Sequence, residues 1–348
     1  MFRRILAGFL ATALAAPSAL FADGCEACEE EACPRYSLRL EAMGLKRSTP
    51  EDRVFATQED AGGGSPSATV LDATDFGQDF EYGGRLALGL RMSHKMSFEL
   101  AAYGVIPSEQ DKNRQGADDL DTPFAVNGNT DDLALPVGFQ AGSDFQQDDL
   151  ISVGFDSRTW SVETNMWNEL CEPHSTICAR VGGGLRFIEL DEDLDYLVED
   201  DFGGGDPTSS FRVDNKLTNR LGGLQVGGSV WMQPTHSLSI GVEAKVGAFA
   251  NFMDRDSSLT RGDGLIGVDE EGSSVGFATV FEVSVETRWD ITPNIGVVAG
   301  YRFVQVNGAA LATENLQTNL SDTGEYQDIR DDGSLYWHGP FVGAEIRF

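Results

Sequence analysis

Residues 237–250 read SLSIGVEAKVGAFA, and in them Leu238, Ile240, Val242, Ala244 and Val246 alternate with Ser239, Gly241, Glu243, Lys245 and Gly247. A period of two places the first set on one face of an extended chain and the second set on the other. The stretch lacks the period near 3.6 that a helix would need. The same rhythm runs through FEYGGRLALGLRM at 80–92, where Leu86, Leu88 and Leu90 oppose Arg85, Ala87, Gly89 and Arg91. It recurs in MSFELAAYG at 96–104, where Phe98, Leu100 and Ala102 oppose Ser97, Glu99 and Tyr103. Further on, Phe277, Phe281, Val283, Val285 and Trp289 oppose Glu282, Ser284, Glu286 and Arg288.

Extended along the whole chain, this pattern predicts ten strands near 36–45, 80–92, 96–105, 149–168, 178–190, 211–232, 237–252, 275–289, 295–307 and 335–348. The links alternate in length. SHK, CEPHSTIC, QPTH and DITPN are short, whereas 46–79, 106–148, 191–210, 253–274 and 308–334 are long. An even number of amphipathic strands with this alternation is the pattern of a chain threaded through a membrane from one side. The expected fold is all-β: a closed antiparallel transmembrane β-barrel of about 10 strands, with long external loops and short periplasmic turns. A soluble β-sandwich also alternates apolar and polar residues, but it does not call for even strand number and alternating loop length together. Trp167, Trp231 and Trp289 all precede short turns, where a periplasmic aromatic girdle belongs, although only Trp289 clearly shares its strand's apolar face.

Residues 1–22, MFRRILAGFLATALAAPSALFA, set Arg3 and Arg4 before a short apolar run and end in small residues. This is the pattern of a cleaved secretory signal peptide. The chain then divides into a Cys-rich segment, 23–35, and a barrel, 36–348. No later stretch holds 18 consecutive apolar residues, so no transmembrane helix is expected. Against 56 Asp and Glu stand 25 Lys and Arg, a net charge of −31 that excludes nucleic acid as a partner.

Charge placement is uneven. With 211–232 omitted because its parity is unclear, the polar faces carry nine cations and seven anions, so the acidity belongs to loops and termini. Twelve of these charges are the candidate lumen-lining set: Arg39, Glu41, Arg85, Glu99, Arg186, Glu243, Lys245, Glu282, Glu286, Arg302, Glu345 and Arg347. The others are Arg91, Glu163, Arg180 and Arg288. Opposed Arg and Glu could set up a transverse field that selects small polar solutes, or could pair across the lumen and close it.

Catalytic and metal chemistry find little support. Cys171 and Cys178 bracket a short turn, where paired strand ends would bring them together as a disulfide. Cys25, Cys28 and Cys33 form an odd set near the terminus. Gly272-Ser273-Ser274-Val275-Gly276 matches the G-x-S-x-G pattern, but a nucleophile elbow needs a helix after the turn and a strand follows here. The four His, at 94, 174, 236 and 338, offer Ser274 no partner, so no enzyme, cofactor or metal is expected. The acidic stretch DEDLDYLVEDD at 191–201 reads as a solvated loop with at most weak divalent-cation binding, because EF-hand spacing is lacking.

The last strand, FVGAEIRF at 341–348, ends on an aromatic residue and looks like the carboxy-terminal assembly signal of Gram-negative barrels. DFEYGGRLALGLRMSHKMSFELAAYG, GGGLRFIELDEDL, NRLGGLQVGGSVWMQPTHSLSIGVEAKVGAFAN and ITPNIGVVAGYRFVQV resemble planctomycete-type outer-membrane β-barrel proteins. More distantly they resemble the Legionella-type major outer-membrane porin family. The resemblance implies a pore-forming or structural barrel in the cell outer membrane and transfers no catalytic residues. The expected partners are outer-membrane lipid, lipopolysaccharide and the barrel assembly machinery. The leading expectation is a narrow pore for passive diffusion of small solutes or ions, since ten strands leave little room inside. The alternative is a non-conducting structural or surface-interaction barrel with acidic external loops.

Overall fold

The computed structural model describes residues 34–49, 53–58, 68–76, 80–93, 95–106, 109–125, 146–171, 176–199, 207–318 and 326–348. The expected signal peptide, Cys25, Cys28, Cys33, His94 and His174 lie outside the described residues. Thirteen strands follow in chain order: β1 (Tyr36–Arg47), β2 (Val54–Gln58), β3 (Ala68–Asp72), β4 (Phe80–Arg91), β5 (Met96–Val105), β6 (Gln110–Asp121), β7 (Gln146–Glu169), β8 (Ile177–Glu199), β9 (Ser210–Thr235), β10 (Leu238–Arg261), β11 (Ile266–Thr292), β12 (Ile295–Ala309) and β13 (Gly333–Arg347).

Ten of them form a closed antiparallel ring, β7-β5-β4-β1-β13-β12-β11-β10-β9-β8, with β8 paired back to β7. Closure satisfies the backbone groups that an open sheet edge would leave exposed. The seam between first and last strands is tight. The amides of Arg35 and Tyr36 both donate to the Phe348 carbonyl, and the Tyr36 and Phe348 rings stack at 5.8 Å.

The alternation changes sign partway up the wall. On β9, outward Leu224, Val226, Val230 and Met232 are exposed, while inward Gln225 and Ser229 are buried. Above Gly222 the outward set becomes Arg212, Asp214, Lys216 and Arg220, and the inward set holds Phe211, Val213, Leu217 and Leu221. On β10 the outward face switches between Phe252 and Asp254, and on β11 between Val275 and Ser273. Each switch marks the top of an apolar outer belt. From Gly222 to Met232 that belt fits the span of about 9–11 residues that a tilted strand needs to cross hydrocarbon. On the outer face of β11 to β13, aromatic rings meet: Phe281 with Phe303, Phe303 with Tyr336, and Tyr336 with His338.

Strands β7 to β11 have 23 to 27 residues, whereas β1, β4, β5, β12 and β13 have 10 to 15. Five long strands therefore rise beyond the ring as a curved palisade. β6 takes up the edge of β7 where β5 has ended, and β2 and β3 extend that sheet. Phe55, Phe76, Phe124, Phe155, Tyr196 and Phe211 fill the concave side with edge-to-face and tilted ring contacts.

This corrects several expectations. Much of the connections at 191–210 and 253–274 is strand rather than loop, and 46–79 and 106–148 hold β2, β3 and β6. The acidic stretch at 191–199 is the upper part of β8, with Asp191, Asp193 and Asp195 outward and Leu194, Tyr196 and Val198 buried. Gly272–Gly276 lies within β11, without the strand-turn-helix bend of a nucleophile elbow. Trp167 and Trp231 face the interior beneath Arg180 and Arg288, and Trp289 faces outward. Burying an indole over a guanidinium is favourable in itself, so a Trp before a turn need not belong to a girdle.

Candidate functional site

In the lower part of the wall, period-two geometry sends the charged residues of the ring strands inward, and closure brings strands two or three places apart within reach of each other. At mid-barrel Lys245 Nζ on β10 lies 2.8 Å from Glu163 Oε1 on β7, across two intervening strands. Arg39 on β1 makes a two-pronged contact with Glu286 on β11, at 2.9 and 2.6 Å. Arg186 on β8 reaches Glu282 on β11 at 2.8 Å, and Arg302 on β12 reaches Glu41 on β1 at 3.1 Å. Arg85 lies 3.4 to 3.5 Å from Glu41, Glu99 and Glu163, and Arg180 bonds Glu243. Lys245 also meets Glu243 at 3.3 Å and Glu282 at 4.0 Å.

These contacts join six cations and six anions from eight ring strands into one electrically neutral cluster. Neutrality matters because an unpaired buried charge costs several kcal/mol, about 3–5 when one partner of a pair is removed. β9 adds Gln225, whose Nε2 donates to Glu163 and Asn165 at 2.8 and 2.7 Å. Ten of the candidate residues lie here: Arg39, Glu41, Arg85, Glu99, Arg186, Glu243, Lys245, Glu282, Glu286 and Arg302. Glu345 and Arg347 form a separate group near the short turns, with Arg288 and Asp290. Below the cluster, a vestibule of about 350 Å³ opens toward those turns, lined by Arg39, Arg180, Trp231, Glu286, Arg288 and Glu345 among others. Cys171 and Cys178 at its rim are joined by a disulfide, with their Cα atoms 4.7 Å apart.

Above the cluster the interior is apolar. Met43, Leu45, Ile188, Leu221, Phe249 and Trp337 meet there, each buried. Higher still, the chain from the end of β12 onward folds into the mouth. It turns at Gly308, whose φ of +83° and 2.3 Å approach of the Phe277 carbonyl to a would-be Cβ admit only glycine comfortably. Asn219 then grips Ala310 at both ends, donating to its carbonyl at 2.7 Å and accepting from its amide at 2.8 Å. Asn215 donates to the Ala312 carbonyl, and Glu192, paired with Arg47, accepts from the Ala312 amide. Arg255 donates to the carbonyls of Asn315 and Asp328 at 2.6 and 2.8 Å.

The sequence reading placed 308–334 wholly outside as a loop and passed over Asn215, Asn219 and Arg255. The available signal for the two Asn was their spacing of four along β9, an even number that shares one face with buried Phe211 and Leu217, while Arg255 lies on β10.

Residues 49–330 match the model of the family described as "Putative beta barrel porin-7 (BBP7)". No curated protein matches the chain. Among solved structures, it is similar to the outer membrane protease OmpT from Escherichia coli, at 9% identity and TM-score 0.48, covering 92% of this chain and 99% of that one. It is also similar to the Ralstonia pickettii toluene transporter TbuX, at 11% identity and TM-score 0.33, covering 91% of this chain and 90% of that one. A third is the translocator domain of the autotransporter NalP from Neisseria meningitidis, at 8% identity and TM-score 0.35, covering 92% of this chain and 90% of that one. With its family match running through most of the ring, the chain belongs to the beta barrel porin-7 family.

Proposed function

We propose that this protein is a non-conducting barrel of the outer membrane, a structural or surface-interaction protein rather than an open pore or an enzyme. One observation carries the reading: the interior is filled by a neutral network that links eight of the ten ring strands, with bonds reaching across as many as three strand positions, as Lys245 to Glu163 and Arg39 to Glu286. A barrel of about eight strands is already filled by its own side chains, and ten add little width. A hydrated ion passing through would have to part several buried pairs at a cost of a few kcal/mol each, then cross the apolar layer around Leu221 and Phe249. The signal peptide at 1–22 delivers the chain for insertion by the barrel assembly machinery. The short turns face the periplasm and the palisade faces outward. Its acidic strand faces meet lipopolysaccharide through weakly held divalent cations. The passive pore expected from the strand pattern is the reading this one displaces.

Proteoliposome swelling tests it. Vesicles carrying the purified mature protein are expected to swell in small sugars no faster than protein-free vesicles. Swelling that rises with protein content would overturn the proposal.

A further inference from the structure

The palisade has two flanks, and the described residues cover only one. On the β7 flank, β6 pairs from Gln110 opposite Phe155 to Asp121 opposite Gln146. On the β11 flank, pairing with β12 begins only at Thr279 opposite Asn307, whereas β11 stays paired to β10 as far as Ile266 opposite Thr260. Residues 266–278 are therefore an edge strand, and among the described residues no backbone group outside β10 bonds to it. At about 3.3 Å per residue its stretch above the apolar belt, 266–274, runs about 30 Å. The nearest chain covers its inner face and not its rim: the Gln327 backbone lies against Gly272, and its side chain donates to Glu270 at 2.6 Å.

A free strand edge is a template for another strand, and the charge on it decides which. Asp269, Glu270 and Glu271 lie on the edge, and Asp328, Asp331 and Asp332 lie on the neighbouring segment against a single cation, Arg330. Exposed Ile266 offers an apolar contact at the outer end, whereas Val275 and Phe277 belong to the apolar belt below. We propose that this edge docks an extended, lysine- or arginine-bearing peptide segment of another protein, which adds a strand to β11 through main-chain hydrogen bonds. A second copy does not fit the site. Antiparallel pairing of one edge with its own copy inverts one barrel against the other, although two barrels in the same bilayer point the same way. Parallel pairing sets Asp269, Glu270 and Glu271 of the two copies against each other.

The inference rests on the external position proposed above for the palisade, but its test does not. The full chain in detergent is titrated with a fluorescent peptide of alternating Lys and Thr, its Glu-for-Lys counterpart, and the Lys peptide N-methylated along its length. The Lys peptide is expected to bind saturably, and the other two at least tenfold more weakly, because one has the wrong charge and the other has no backbone donors. Asp269→Lys with Glu271→Lys is expected to reverse the charge preference while leaving the far-UV circular dichroism unchanged. Three results would overturn the proposal: equal binding of the N-methylated peptide, no binding of any peptide, or sedimentation as a dimer that excludes the peptide.

Discussion

Lys245 and Glu163 sit on strands separated by β8 and β9, yet their charged atoms are 2.8 Å apart in the barrel interior. The contact ties together strands three places apart around the ring and leaves a lysine 3% exposed among three carboxylates. Lys245→Met strands excess negative charge in that space and is expected to destabilise the folded barrel by about 3–5 kcal/mol. Adding Glu163→Gln restores the balance, so the double variant should lose at least about 1 kcal/mol less than the sum of the single changes. Urea titration of folding into lipid vesicles measures both.

The grip of Asn219 on Ala310 predicts a local effect. Asn219→Ala removes three hydrogen bonds, one from Asn251 and two that otherwise satisfy the buried Ala310 amide and carbonyl, at about 1–3 kcal/mol. The β12–β13 connection should open while the ring persists. Faster amide exchange at Ala310 and Ala312, with unchanged exchange in β10, is the expected result.

How far the fold was legible follows from the polarity switch. Where a strand keeps one sign of alternation, as 238–250 does, its place in the ring could be read directly. β9 could not be read, because its apolar set moves from the inward side at Leu217 and Leu221 to the outward side at Leu224 and Val226. A single parity cannot describe both halves, and the same reversal made the tops of β8, β10 and β11 look like loops. The inward charges were legible because only their own strand's parity decides them. Their pairing was not, since Arg39 and Glu286 are brought together by closure, 247 positions apart. The mouth segment was hidden for a different reason: it is held by side chains of the wall, and its own sequence carries no strand period.

The switch itself can be tested by moving one charge. Val242 faces outward within the apolar belt of β10, and Ser258 faces outward above it. Val242→Arg is expected to cost about 2–4 kcal/mol in vesicle folding. Ser258→Arg should stay within about 0.5 kcal/mol of the parent.

Acid should affect the outer sheet through Asp193. Burial raises its carboxyl above the ordinary aspartate value, Asp214 and Asp195 add to the rise, and Lys216 opposes it. A folded-state value above the unfolded one means that the folded form holds the proton more tightly. Stability contributed at this position therefore grows as pH falls from neutral into the carboxylate range and is lost as pH rises again. Asp193→Asn should flatten that part of the pH dependence, read as the difference in unfolding midpoint between parent and variant across the range.

Electrical recording from the mature protein in a planar lipid bilayer tests the proposed sealing of the interior most directly. With the Lys245–Glu163 and Arg39–Glu286 bridges in place, the current is expected to stay at the level of the bare bilayer across voltage and salt. Stable unitary steps at low voltage, in proportion to inserted protein, would contradict the account.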